Sequence, residues 1–338
     1  MKNGKKAVVL SVALFAALGW LPVKRTTAEG RFALSKAECV MEMHSRRVLY
    51  EWKGDLRLPM ASTTKIVTCA TVLQDCKNLQ EEITIPEEAE GVEGSSVYLK
   101  SGEKYTVESL LYGLMLRSGN DCATALALHF GGSIGNFSAK MNAYAQKAGA
   151  ICSNFENPHG LPQADHYTTA RDLTLVSCLA MQNEKFREIV ATQYYAPYHW
   201  KNKNKMLQTL DGCVGIKTGY TKQAGRCLVS AATRQGMTLV CSVLNSPVMY
   251  ERSTELLEDA FAAYKYTTLL AANQPIELEN GKTGIAKRDY AYPLLEEEQA
   301  LTEIVTTTYT DRKNGEIVGQ FQIYLAKRLL FSGNLYKI

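Results

Sequence analysis

The stretch LPMASTTKIVTCA, residues 58–70, places a lysine inside what is otherwise an apolar helix. Pro59 precedes the small-residue and hydroxyl run Ala61-Ser62-Thr63-Thr64, which reads as a helix start. Behind it, Ile66, Val67, Ala70, Val72 and Leu73 are apolar on almost every side, the pattern of a core helix. An unpaired charge is costly in such a place, so Lys65 needs a reason to be there. Residues three apart on a helix share a face. Ser62 and Lys65 therefore point the same way, with Ser62 at the positive end of the helix dipole. Taken alone, the pair reads as an N-cap serine and a surface lysine, because a four-residue pattern recurs by chance.

The chain has 338 residues, enough for a large core and two domains. A net charge of +4 is mild, and the sequence lacks the basic block that marks nucleic-acid binding. The N-terminus stands apart. MKNGKK is basic, AVVLSVALFAALGWLPV is continuously apolar, and TTA ends at Ala28 with a second small residue at Thr26. That is the layout of a secretory signal peptide spanning 1–28. An uncleaved anchor is the rival, since Ala7 to Val23 nearly suffices to span a bilayer. Either way the body of the protein is expected outside the cytoplasm.

Nine cysteines in an exported chain raise the question of disulfides, but the number is odd. Cys69, Cys122, Cys178 and Cys241 sit among apolar residues, as buried free thiols do. Cys69 and Cys76, if helical, lie about 10 Å apart along the axis, too far to bridge. No CxxC and no zinc-like Cys/His spacing is present. The expectation is mostly reduced packing residues and no metal.

Along the chain, residues 38–53 read as a hairpin and 81–105 as a loop region with short strands. A helix is expected from about Thr106 to Gly119, and another from NDCATALALHF with Asn120 or Asp121 as its cap. Further helical runs fall at about 136–149, 170–181, 184–191 and 252–270. RCLVSAAT and MTLVCSVLN read as a strand pair. From Pro275 the texture becomes alternating, with turns at ENGKTG and DRKNGEIVG and strands at EIVTTTY and IVGQFQIYLA. This suggests domains at 29–271 and 272–338, the second small and all-β.

Two more short patterns matter. RSGND places Ser118-Gly119-Asn120 between two helices, and DGCVGIKTGYT places Lys217-Thr218-Gly219 just before the strand pair. Each is weak alone: a serine and asparagine at a junction usually cap, a KTG before a strand is usually a turn, and a second GKTG at 281–284 shows how cheaply that motif arises. The ordered set SxxK, SxN, KTG is far more specific. It is the signature shared by class A β-lactamases and penicillin-binding proteins. With NPHGLPQADHYTTARDL between the second and third motifs, residues 30–270 resemble the low-molecular-mass penicillin-binding proteins. More narrowly they resemble the serine-type D-alanyl-D-alanine carboxypeptidases, and the β-rich remainder is similar to that family's small C-terminal domain.

The resemblance implies an α/β (α+β) transpeptidase-type fold: an antiparallel sheet with helices, a helical subdomain, and a small all-β C-terminal domain. It implies Ser62 as nucleophile, Lys65 as its base and Ser118 as proton relay. Such a serine needs a base, and a lysine serves when burial and a nearby cation depress its pKa. Asn120 would bind the substrate amide and the lysine. Lys217, helped by Thr218 and Thr221, would attract a terminal carboxylate. The backbone amides of Ser62 and of Tyr220, the residue after the motif's Gly219, would stabilise the oxyanion, and Gly219 would belong to the substrate-binding edge. The implied substrate is a peptidoglycan stem peptide ending in D-Ala-D-Ala, β-lactams would acylate Ser62, and no cofactor is needed. The implied location is the cell wall or the outer face of the membrane. Family members often end in an amphipathic anchoring helix, and none is evident before Ile338, so peripheral attachment stays open.

Three rivals remain at this point. GGSIG at 131–135 fits the nucleophile elbow of α/β-hydrolases, but that motif needs a preceding strand, and here a helix cap precedes it. Gly131-Gly132 reads instead as a helix C-terminus with Ser133 opening the next segment. His159 and His166 then read as loop histidines. A β-lactamase shares the fold, yet no ExxLN-type pentapeptide lies between SxN and KTG. A non-catalytic peptidoglycan-binding relative is opposed by three intact motifs.

Overall fold

The computed structural model describes residues 35–278, 281–309 and 316–338. The expected leader at 1–28 and the turn residues 279–280 and 311–315 lie outside them.

Strands β1 (Ala37–Glu42) and β2 (Val48–Trp52) form the expected antiparallel hairpin. A 3-10 turn, Ala61–Thr64, runs into helix α1 (Lys65–Asp75). Short strands β3 (Glu82–Thr84) and β4 (Lys104–Thr106) pair across the polar region. Thr106 then caps α2 (Val107–Tyr112) by accepting from Ser109 N, and a π-helical turn, Gly113–Arg117, follows. Helix α3 (Asn120–Gly131) ends at Gly132 with φ +69, a left-handed position that suits glycine. Ser133 caps α4 (Ile134–Ala148), which settles the GGSIG decoy as a helix junction. Thr169 caps α5 (Ala170–Ala180), and Asn183 caps α6 (Glu184–Ala191).

The strand pair β5 (Tyr194–Tyr195) and β6 (Trp200–Lys201) and the short α7 (Met206–Thr209) lead to three long strands. These are β7 (Cys213–Thr221), β8 (Gly225–Arg234) and β9 (Met237–Leu244). The main sheet is antiparallel in the order β2-β1-β9-β8-β7. The KTG motif is thus not a turn ahead of a strand pair. It lies inside β7, on the edge of the sheet, with Lys217 opposite Val229. Its β-branched neighbours Val214, Ile216, Thr218 and Thr221 favour that state.

Side chains alternate across this sheet with period two. Cys39, Met41, Val229, Ala231, Val240 and Leu244 face the larger core, shared with α1 and α3–α6. Val40, Leu228, Ala232, Leu239, Cys241 and Val243 face a second core against α8 (Met249–Ala263). The sheet is therefore covered on both faces, which is why β9 is buried along its whole length. All nine cysteines are unpaired, and six are buried as packing residues. Burial raises the Cys39 thiol to about 12.

The expected helix to Leu270 ends at Ala263. Lys265–Leu270 is β10, which pairs antiparallel with β13 (Tyr290–Leu294). Thr267 and Thr268 are poor helix residues, and strand pairing overrides the weak helical period there. Strands β11 (Pro275–Glu277), β12 (Thr283–Ile285), β14 (Thr302–Thr308), β15 (Ile317–Leu325) and β16 (Arg328–Lys337) make a second antiparallel sheet in the order β11-β12-β16-β15-β14. It has a small core of its own around Leu278, Phe321, Ile323 and Leu335. Arg47, between β1 and β2, holds the Glu298 carboxylate with two hydrogen bonds of 2.9 and 2.6 Å and lies over the rings of Tyr264 and Tyr292. Among the described residues no helix is long and apolar enough to cross a membrane.

Candidate active site

Ser62 sits in the 3-10 turn that enters α1, half-exposed at the surface of the larger core. The residue before it, Ala61, has φ +49, an uncommon conformation for a side chain with a Cβ. Gly160 supports this turn. Its own φ is +90, and a Cβ there would fall 1.9 Å from Ala61 O. Only glycine fits that approach.

Lys65 is the first residue of α1 and is fully buried. Its Nζ lies 3.1 Å from Ser62 Oγ, 2.6 Å from Asn120 Oδ1 and 2.8 Å from His159 O. None of these three partners is a carboxylate. Burial, and then the charge of Lys217, hold its pKa well below the usual lysine range. A neutral amine has two N–H bonds and one lone pair. Asn120 Oδ1 and His159 O take the two N–H bonds, which leaves the lone pair for the Ser62 hydroxyl proton.

The middle motif reaches this lysine because the chain turns sharply ahead of α3. Ser118, buried, has φ +65 at the junction, two residues before Asn120. The expected cap at Asn120 or Asp121 is instead Gly119, and both side chains are used elsewhere. Asn120 Nδ2 donates to Glu93 O at 2.5 Å, and its backbone N–H donates to Ser95 O at 2.7 Å. Asp121, also buried, accepts from Ser96 Oγ and from the amides of Val97 and Leu99.

Lys217 projects from β7 and is 1% exposed. Its Nζ donates to Thr218 O at 3.0 Å. Burial, with the Lys203 charge second, lowers its pKa to about 7. Gly219 brings β7 against the serine turn: a Cβ there would stand 3.0 Å from both Ser62 N and Met60 O. Tyr220 is 64% exposed beyond it. Thr221 Oγ1 accepts from Ala224 N at 3.0 Å, closing the β7–β8 turn, so its own O–H is what it could offer a ligand.

The two histidines are structural. His166 Nδ1 accepts from Glu156 N, which places the ring proton on Nε2 for Thr64 Oγ1, 2.8 Å away. Burial lowers His159 to about 3 and His166 to about 4, so both are neutral at pH 7. What His159 gives the site is its backbone carbonyl. Asn157 fixes that loop by accepting from Gly160 N and donating to Leu161 O, and Thr68 Oγ1 donates to Pro158 O.

Sequence reasoning missed His159 O, Glu93 O, Gly160 and Lys203. A backbone carbonyl has no side-chain signature. Gly160, inside NPHGLP, is the one that a turn reading of that segment could have flagged.

A family model for D-alanyl-D-alanine carboxypeptidases, Peptidase_S11, matches residues 24–248. The chain is 33% identical over 295 residues to the D-alanyl-D-alanine carboxypeptidase of Streptomyces sp. (strain K15), spanning 78% of this chain and 99% of that protein. It is 30% identical over 269 residues to the D-alanyl-D-alanine carboxypeptidase DacF of Bacillus subtilis (strain 168), spanning 75% and 69% respectively. Among solved structures, penicillin binding protein 5 from Haemophilus influenzae matches with a TM-score of 0.75 at 26% identity, over 90% of this chain and 96% of that one. Sequence, fold and motif order agree: the chain belongs to the D-alanyl-D-alanine carboxypeptidase family, Peptidase_S11.

Proposed function

We propose that this chain is a serine-type D-Ala-D-Ala carboxypeptidase, which removes the terminal D-alanine from peptidoglycan stem peptides through an acyl-enzyme on Ser62. The observation that carries the reading is Lys65. It is fully buried, has no carboxylate among its hydrogen-bond partners in the described residues, and stands 3.1 Å from Ser62 Oγ. A lysine kept neutral there is a base rather than a structural cation.

In this mechanism Lys65 takes the Ser62 proton, and Ser62 Oγ bonds to the carbonyl carbon of the last peptide bond. The N–H groups of Ser62 and Tyr220 receive the oxyanion. The carbon–nitrogen bond breaks, and the departing amine takes a proton relayed through Ser118. Water then adds to the ester and loses a proton to Lys65; the bond from the carbonyl carbon to Ser62 Oγ breaks, Oγ takes that proton back from Lys65, and the shortened peptide leaves. Asn120 orients the substrate amide. Lys217, with Thr218 and Thr221, reads the terminal carboxylate, and β7 offers its open edge to the extended peptide. β-Lactams acylate the same serine.

Ser62→Ala should abolish both labelling by a fluorescent penicillin and release of D-alanine from a diacyl tripeptide ending in D-Ala-D-Ala. Persistent labelling of a folded variant would reject Ser62. A substrate ending in D-Ala-D-Ala amide should react roughly 10- to 100-fold more slowly, the scale of one charged hydrogen bond. Equal turnover of acid and amide would reject Lys217 as the carboxylate reader.

The protein is also proposed to act outside the cytoplasm, at the cell wall or the outer face of the cytoplasmic membrane, after loss of residues 1–28. N-terminal sequencing of native protein should begin at Glu29; a start at Met1 in a membrane fraction would support the anchor instead. Residues 29–271 are proposed as the catalytic domain and 272–338 as a separate β-rich domain; the small core around Phe321 supports a second unit, to which β10, with Leu270, contributes from the first. Limited proteolysis near residue 272 should leave a fragment that still binds penicillin, and loss of all labelling on that cut would oppose the division.

A further inference from the structure

We propose that a cavity beside the Ser118–Asn120 turn is a second anion-recognising subsite, which takes a carboxylate carried on a long side chain of the leaving residue. This rests on the reading of the site given above. The cavity holds about 250 Å³, and its lining includes Ser96, Tyr98, Arg117, His199, Trp200 and Lys201. That volume suits one side chain rather than a whole ligand.

Its chemistry is one-sided. Arg117 and Lys201 are basic side chains, and among the described residues no Asp or Glu lines the cavity. Asp121, buried behind this wall, is committed to Ser96 Oγ and to the amides of Val97 and Leu99. The aromatic side is fixed as well: Trp200 stacks on Tyr198 with ring centroids 4.6 Å apart, and Tyr195 backs both. Tyr98 is 82% exposed on a left-handed backbone, φ +68, with its N–H donating to Ser96 Oγ at 2.8 Å. Packing does not account for a large exposed ring held in a strained position.

The cavity also has a direction relative to the chemistry. Arg117 immediately precedes Ser118 and donates to Lys201 O at 3.2 Å. Lys203 donates to Ser95 Oγ at 3.1 Å, the residue whose carbonyl holds Asn120 N. The Lys203 charge acts on both Lys65 and Lys217, and Arg117 in turn acts on Lys203. Positive charge therefore runs from Lys217 through Lys203 to the cavity. Lys217 reads the terminal carboxylate and Ser118 serves the departing amine, so this track lies on the leaving side. D-Alanine ends in a methyl group and has no acidic side chain to offer the cavity. A leaving residue whose side chain continues to an acidic group, as in a cross-linked peptide, does offer one. The bonds made and broken are the same: the amide is cleaved, its nitrogen takes the proton from Ser62, and water supplies the oxygen of the released acid.

The test uses the full chain and three diacyl peptides, ending in D-Ala-D-Ala, D-Ala-D-Lys(Nε-acetyl) and D-Ala-D-Lys(Nε-succinyl). The succinyl substrate should exceed the acetyl one in kcat/KM by roughly two- to fivefold, the scale of a rim-exposed ion pair. Added salt should erode that preference. Lys201→Gln should remove it and Lys201→Glu should invert it, with D-alanine release unchanged. Equal rates for succinyl and acetyl substrates, while D-alanine is released, overturn the subsite and leave the carboxypeptidase reading intact. Failure to release D-alanine from the first peptide overturns both.

Discussion

Asn120 Oδ1 accepts from Lys65 Nζ at 2.6 Å, while the other end of the same amide donates to Glu93 O at 2.5 Å. One uncharged side chain thus joins α1, α3 and the loop ahead of Tyr98. An amide can hold the lysine in place without favouring its protonated form, which a carboxylate in the same position would do.

Asn120→Ala should therefore slow acylation by penicillin roughly 10- to 100-fold, the effect of losing one or two buried hydrogen bonds of about 1–3 kcal/mol. Asn120→Asp should behave differently, because a negative charge beside Lys65 raises its pKa. The acid limb of the acylation rate should move to higher pH in the aspartate variant and not in the alanine one. Identical pH profiles for the two variants would contradict this role.

The pH dependence of kcat/KM follows from the two lysines. Lys65 acts only when neutral, and burial beside Lys217 holds its pKa well below the usual range. Lys217 binds a carboxylate only when protonated, and its pKa stands at about 7. Activity should rise with pH as Lys65 is freed of its proton. It should fall through and above about pH 7 as Lys217 loses its own. The limbs belong to the coupled pair rather than to either residue alone. Lys217→Arg keeps its charge, so its alkaline limb should move well up in pH. An alkaline limb unchanged by that substitution would exclude Lys217 as its source.

Gly160→Ala tests the support of the serine turn. The new Cβ would stand 1.9 Å from Ala61 O on a backbone with φ +90. The loop must shift, and His159 O with it. Unfolding in urea should show a loss of about 2 kcal/mol or more, in the range of forced backbone strain. Acylation should slow in protein that is still folded. A variant with native stability and native acylation would show that the turn does not depend on this contact.

Penicillin should be turned over slowly, with an adduct on Ser62 that survives intact-protein mass spectrometry. The hydrogen-bonding partners of Lys65 are Ser62, Asn120 and the His159 carbonyl, with no carboxylate among them to activate water separately. After peptide cleavage D-alanine departs and leaves room for water near Lys65. After penicillin attack the broken amide stays tethered through the ring and keeps water out. Rapid hydrolysis with no detectable adduct, and no D-alanine release, would favour a lactamase.

The sequence alone determined the three motifs and their order, the helix that starts at Ser62 and Lys65, the segment starts at Thr106 and Ser133, and four of the five strands of the main sheet, β7 being the exception. Local periodicity and capping encode these, because each depends on residues within a turn or two of one another. The tertiary structure decided the rest. Asn120 meets Lys65 across 55 residues and His159 O meets it across 94, distances over which no local pattern acts. KTG looked like a turn because its glycine and threonines suit one. It is a strand because β8 pairs with it and because Gly219 lets β7 approach Ser62 N. The sequence showed a lysine buried in an apolar helix. Only packing could show what keeps it neutral: a second buried cation on β7, and around its amine an amide, a carbonyl and a hydroxyl in place of any acid.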